Sequence, residues 1–134
     1  MIKENLRIII ADDNDFFAEA LSLLLRNNKF NIIDVCRNGR DLVSSLQLSR
    51  AHLILADIEM PEMDGIEAAK IVNSKYPHIP LIALSMYFEK IYLNEIIMVG
   101  FKGFLYKPEI PQKLIGLIDQ VLDNKFVFPN NLKI

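Results

Sequence analysis

Five short apolar runs, each too brief to be a helix, alternate along this chain with longer stretches of helical period. The runs are "LRIIIA" (residues 6–11), "NIIDVC" (31–36), "LILA" (53–56), "PLIALS" (80–85) and "FKGFLY" (101–106). They read as five β-strands. Between them Phe17, Leu21, Leu24 and Leu25 share one helical face, as do Leu42, Val43 and Leu46, and then Ile66, Ala69 and Val72. A fourth helix is expected between residues 88 and 99, and Leu114, Leu117, Ile118, Val121 and Leu122 mark a fifth. Strict alternation of strand and helix predicts an α/β fold with a parallel sheet and helices on both faces. "RIIIA", "LILA" and "LIAL" are apolar on both faces, as central parallel strands must be, whereas Asp34 and Arg37 suit an edge strand.

Composition narrows the function classes. With 134 residues, 51% of them hydrophobic, and no low-complexity tract, the chain reads as one compact domain. A domain of this size buries roughly two-thirds of its unfolded surface, enough to fold without a disulfide or a structural metal. Cys36 is the single cysteine, and beside only His52 and His78 it makes no zinc or haem set, so a reducing cytoplasm is expected. The opening "MIKENLRIIIADD" is neither a secretory leader nor a span, since acids close its apolar run. A net charge of -2 gives no reason to expect that this domain contacts nucleic acid or membrane directly.

In a parallel sheet of this kind, chemistry gathers outside the carboxyl ends of the strands. The first run ends in Asp12 and Asp13, the third in Asp57, the fourth in Ser85 and the fifth in Lys107 followed by Pro108. Singly each has an ordinary explanation: an acidic pair is often a helix cap, a lysine a solvated surface group, a serine a strand-end hydroxyl. Together, each placed by its own apolar strand, they read as one constellation.

Five separated motifs, "IIIADDND", "RNGRD", "LILADIEMPEMDG", "LIALSM" and "GFLYKP", resemble those of the receiver domains of two-component response regulators. The resemblance covers about residues 5 to 125. It implies a doubly wound, flavodoxin-like (βα)5 sheet with strand order 2-1-3-4-5, residues 1–125 forming the receiver and 126–134 a tail or the start of a linker. It further implies that Asp57 is phosphorylated by a histidine kinase or phosphotransfer protein. Mg²⁺ would be held by Asp12, Asp13, Asp57 and the backbone carbonyl of Glu59. Ser85 and Lys107 would contact the phosphoryl oxygens, Phe104 would be the aromatic that changes rotamer, and the Lys107–Pro108 peptide would be cis.

The chemistry of the residues agrees. Like charges 4 Å apart repel by about 4 kcal/mol at an effective dielectric of 20, so a carboxylate attacking a phosphoryl donor needs charge cancelled nearby. A hard cation on Asp12 and Asp13 and the mobile ammonium of Lys107 answer that need. Pro61 discourages a helix directly after the third strand, and Gly65 allows a backbone path that a side chain would hinder. Two new charge-assisted bonds, from Ser85 and Lys107, give about 3 to 6 kcal/mol. Reversing a 1:99 equilibrium takes about 5.5 kcal/mol, so Ser85 is expected to move toward the phosphoryl group and Phe104 to turn inward behind it.

Met86 stands where alanine or glycine is usual and is expected to narrow access to Asp57, while Glu59 and Tyr87 flank the path of an attacking water and tune the lifetime of the modified state. The segment "YFEKIYLNEIIMVGF" is more apolar than one buried stripe absorbs, which suggests a partner or homodimer patch on the fourth helix, fifth strand and fifth helix. An aspartate-nucleophile phosphatase would need a second Asp where Glu59 stands, and no glycine-rich nucleotide motif is present. No enzyme is expected beyond self-phosphorylation from small phosphodonors and self-dephosphorylation. The tail "NKFVFPNNLKI" resembles the segment preceding the helix-turn-helix domain of LuxR/NarL-type transcription regulators. A stand-alone regulator acting through protein contacts is the alternative.

Overall fold

The computed structural model describes residues 5–87 and 90–129, with the side chains of residues 90–92 excepted. Five strands, β1 (Arg7–Ala11), β2 (Asn31–Cys36), β3 (Leu53–Asp57), β4 (Leu81–Ser85) and β5 (Gly103–Tyr106), alternate with α1 (Asp15–Asn27), α2 (Gly39–Val43), α3 (Gly65–Lys75), α4 (Lys90–Val99) and α5 (Ile110–Leu122). The strands form one sheet in the order β2-β1-β3-β4-β5, every neighbouring pair parallel.

The two-residue period of each strand splits the core into two layers. Ile9, Ile54, Ala56 and Ala83 face one way, against Leu42 of α2, Ala68, Ala69 and Val72 of α3 and Ile96 of α4. Ile8, Ile10, Leu53, Leu55, Ile82 and Leu84 face the other way, against Ala18, Leu21 and Leu25 of α1 and Leu114, Ile118 and Val121 of α5. All residues of β3 and β4 are buried, while β2 is mostly half-exposed, as its edge position requires. Side-chain oxygens start three helices: Asn14 accepts the Phe17 N–H (3.0 Å), Asn38 the Asp41 N–H (2.7 Å) and Asp64 the Glu67 N–H (2.8 Å). Each such cap contributes about 1 kcal/mol.

The helical face expected at Leu42, Val43 and Leu46 is interrupted. α2 stops at Val43, and Leu46 is 92% exposed. Ser45 donates its hydroxyl to Asp34 and accepts the Gln47 N–H at 3.2 Å, so the side chain gives the backbone an alternative to another helical turn. A 3-10 turn (Leu48–Arg50) then returns Leu48 to the core.

The segment after α5 also differs from a simple tail. Val127 bridges to Gly103 in parallel, its N–H donating to the Lys102 carbonyl (2.9 Å) and its own carbonyl accepting from the Phe104 N–H (3.1 Å). Val127 packs on one core layer and Phe128 on the other, and the Lys102 ammonium lies 4.5 Å from the centre of the Phe126 ring. These residues add a short strip to the outer margin of β5. On α4, Leu93 and Ile96 are buried, whereas Ile97 and Met98 are exposed. Of the apolar residues expected there, Phe88 and the side chains of Ile91 and Tyr92 lie outside the described residues. Among the described residues, no helix is long and apolar enough to cross a membrane.

Candidate functional site

Three strands deliver charged side chains to one rim of the sheet: Asp12 follows β1, Asp57 closes β3 and Lys107 follows β5. Lys107 Nζ donates to Asp12 Oδ2 at 2.7 Å and lies 3.3 Å from Asp57 Oδ2. Asp12 is 1% exposed, Asp57 6% and Lys107 9%. Asp13 is exposed, yet one oxygen from each of Asp12, Asp13 and Asp57 lies within 4.8 Å of the others. Three carboxylates thus face one ammonium, and desolvation makes the residual negative charge costly. An all-oxygen donor set with one solvent-facing member fits a hard divalent cation that keeps part of its water shell.

Local structure explains why these groups stand where they do. The Asp12 N–H donates to the Cys36 carbonyl (2.9 Å), and Asp12 Oδ1 accepts the Asn14 N–H (2.8 Å), so one aspartate ends the strand and orients the cap of α1. Asp57 Oδ1 accepts the Glu59 N–H at 3.2 Å. The Gly65 N–H then donates to the Ile58 carbonyl (2.8 Å), folding the loop so closely that a Cβ on Gly65 would collide with the Asp57 carbonyl oxygen. Gly39 has a similar tight approach to the Met63 carbonyl, which is why "RNGRD" needs its glycine. Burial pushes the Asp57 carboxyl up to about 6, and the Asp12 charge adds to this, against the downward pull of Lys107 and of the Glu59 N–H.

The structure brings Asp12, Asp13, Asp57 and Lys107 together and leaves the other expected residues around them. Ser85 is buried on β4, where its hydroxyl oxygen accepts the Tyr87 N–H at 3.0 Å. It follows Leu84, the register partner of Asp57. Met86 and Tyr87 are exposed, as is Glu59. Phe104 is buried, in the layer that holds Ile96 and Phe101.

One expectation is corrected. The Lys107–Pro108 peptide is trans, as is every peptide bond among the described residues. Residues Lys107–Glu109 form a 3-10 turn leading into α5, and a proline in a first turn has the right φ and no N–H to waste. Periodicity puts Phe17 on the apolar face of α1; its ring centre also lies 4.1 Å from Lys107 Nζ. The signal available for it was an aromatic in the first helical turn after an acidic pair.

Comparison with known proteins agrees with this geometry. The family model described as response regulator receiver domain matches residues 8–119. The chain is 33% identical over 122 residues to the protein-glutamate methylesterase/protein-glutamine glutaminase of Clostridium acetobutylicum, covering 89% of this chain and 35% of that protein. It is 33% identical over 129 residues to the transcriptional regulatory protein YdfI of Bacillus subtilis, covering 95% of this chain and 60% of that protein. The chain therefore spans less than two-thirds of either relative. A two-component response regulator of the LuxR family from Aurantimonas sp. SI85-9A1 superposes with a TM-score of 0.87 at 16% identity, covering 96% of this chain and 93% of that one.

Proposed function

The chain belongs to the response regulator receiver domains, and on that premise we propose that Asp57 accepts a phosphoryl group from a histidine kinase or phosphotransfer protein. The observation that supports it best is the Lys107 ammonium lying between Asp12 Oδ2 (2.7 Å) and Asp57 Oδ2 (3.3 Å), with Asp13 in the same carboxylate cluster. Asp12, Asp13, Asp57 and the Glu59 carbonyl would hold a magnesium ion, which when bound supplies cancellation of negative charge around the phosphoryl oxygens. An Asp57 carboxylate oxygen forms the new O–P bond while the P–N bond of the donor phosphohistidine breaks and its electron pair stays on the imidazole. Lys107 passes from Asp57 to a phosphoryl oxygen without leaving Asp12, and the Ser85 hydroxyl, which accepts the Tyr87 N–H, donates to another.

The readout surface in this proposal is that of α4, β5 and α5, where Ile97 and Met98 are exposed. A homodimer, or an output domain that binds DNA, would use it. The likeness to a transcriptional regulatory protein, of which this chain spans 60%, supports the second. In that case residues 1–125 are the receiver and residues 126–134 begin the connection to the output.

Intact mass spectrometry after incubation with magnesium and a small acyl phosphate tests the assignment. The gain of one phosphoryl group, mapped to Asp57 and absent in Asp57→Asn, is expected; an adduct elsewhere, or none, overturns it. Exposed Glu59 and Tyr87 are expected to set the lifetime of that adduct, so Glu59→Ala or Tyr87→Ala changes its decay rate.

A further inference from the structure

Lys107 has a third partner that carries no charge. Its Nζ lies 4.1 Å from the centre of the Phe17 ring, in addition to its contacts with Asp12 and Asp57. The ring is half-buried against the layer formed by α1 and α5, and the Phe17 N–H is held by the Asn14 cap at 3.0 Å. Asn14 is in turn held by Asp12 Oδ1 at 2.8 Å. The aromatic face and the first carboxylate are therefore set by one short loop.

The value of a neutral partner follows from what happens around it. Asp12 and Asp57 are the groups a divalent cation would share, and Asp57 is the one to be modified. A bound cation would occupy these carboxylates and bring positive charge near the ammonium, and modification turns the Asp57 carboxylate into an acyl phosphate whose negative oxygens lie elsewhere, so neither carboxylate is a constant partner. A ring is not drawn away by a metal, and its attraction for an ammonium within about 6 Å is strongest where water is excluded, as it is around buried Lys107.

We propose that Phe17 is a positioning residue for Lys107, keeping the ammonium at the rim while the carboxylates are taken up by other ligands. For its effect on transfer this rests on the role given above to Lys107; the seat itself does not.

The test uses the full chain with Phe17→Leu and Phe17→Met, which fill apolar space without a ring face, and Phe17→Tyr, which restores one. In NMR spectra the ε-methylene protons of Lys107 are expected at ring-shifted, upfield positions in the unmodified protein and in Phe17→Tyr, with chelator and with magnesium alike. They return to ordinary positions in Phe17→Leu and Phe17→Met. The rate of Asp57 modification by a small acyl phosphate falls about tenfold in the Leu and Met variants and is restored by Tyr, while magnesium affinity changes by less than about threefold. Unmoved Lys107 resonances, or a full rate in a folded Leu or Met variant, overturn the proposal. If the unmodified protein takes no phosphoryl group, the functional reading fails on its own, and the resonances still decide the seat.

Discussion

Replacing Asp57 by Asn is expected to stabilise the metal-free protein at neutral pH and to leave it unchanged in acid. The structure buries this carboxyl so that it titrates near 6 instead of 3.8. Between those values the native state holds a proton that the unfolded chain has already released, so the native state loses ground as pH rises. Below about pH 4 the group is protonated in both states and costs little; above about pH 6 the full penalty applies. One pK unit is worth about 1.4 kcal/mol, which puts the penalty at about 3 kcal/mol. Asparagine carries no charge to desolvate and leaves Lys107 its 2.7 Å contact with Asp12. Urea unfolding in the presence of a chelator, run from pH 4 to pH 8 on both proteins, should show a stability difference growing from near zero to about 3 kcal/mol in favour of the variant. Magnesium should shrink that difference, because a ligand of the native state stabilises it by mass action. A variant that is no more stable at pH 8, or a difference that does not depend on pH, would refute the argument from burial.

Other outcomes follow from the same geometry. Gly65→Ala should lower stability by about 1 to 3 kcal/mol in denaturant titrations and slow Asp57 modification, because the new methyl must push back the Asp57 carbonyl. Ser85→Ala should still accept the phosphoryl group but fail to convey it, seen as a loss of the modification-dependent amide shifts in α4 and β5, at a stability cost of about 1 kcal/mol for the lost acceptor of the Tyr87 N–H. Cys36 is buried and, with the Asp34 charge beside it, is pushed up to about 12, so it should resist thiol reagents at pH 8 until the protein is unfolded.

The central strands were legible in the sequence because burial on both faces left their interiors apolar: "RIIIA", "LILA" and "LIALS" map onto β1, β3 and β4 within a residue. The charged rim was legible for a related reason, since a charge immediately after such a run has one direction in which to point. What failed depended on contacts between distant segments. Nothing in the run of Leu42, Val43 and Leu46 announces that Ser45 will bond to Asp34 on another element and end the helix. The contact of Phe17 with Lys107 joins α1 to the end of β5, and periodicity in α1 records only that Phe17 is apolar. "FVF" is too short to read as a strand, and its pairing with β5 arises from the sheet margin it meets. The Pro108 peptide followed the resemblance, whereas its actual geometry follows the turn in which it sits.

That margin has a consequence for how molecules of this kind meet one another. A parallel sheet normally ends in a row of amides and carbonyls open to any passing strand, and such a ledge invites intermolecular growth. Here Asn31 and Asp34 make one ledge polar, and Val127 occupies the Lys102 carbonyl and the Phe104 amide on the other. A neighbour that sought to extend the sheet there would first have to unzip this chain's own residues, so encounters are steered away from backbone templating and toward side-chain surfaces.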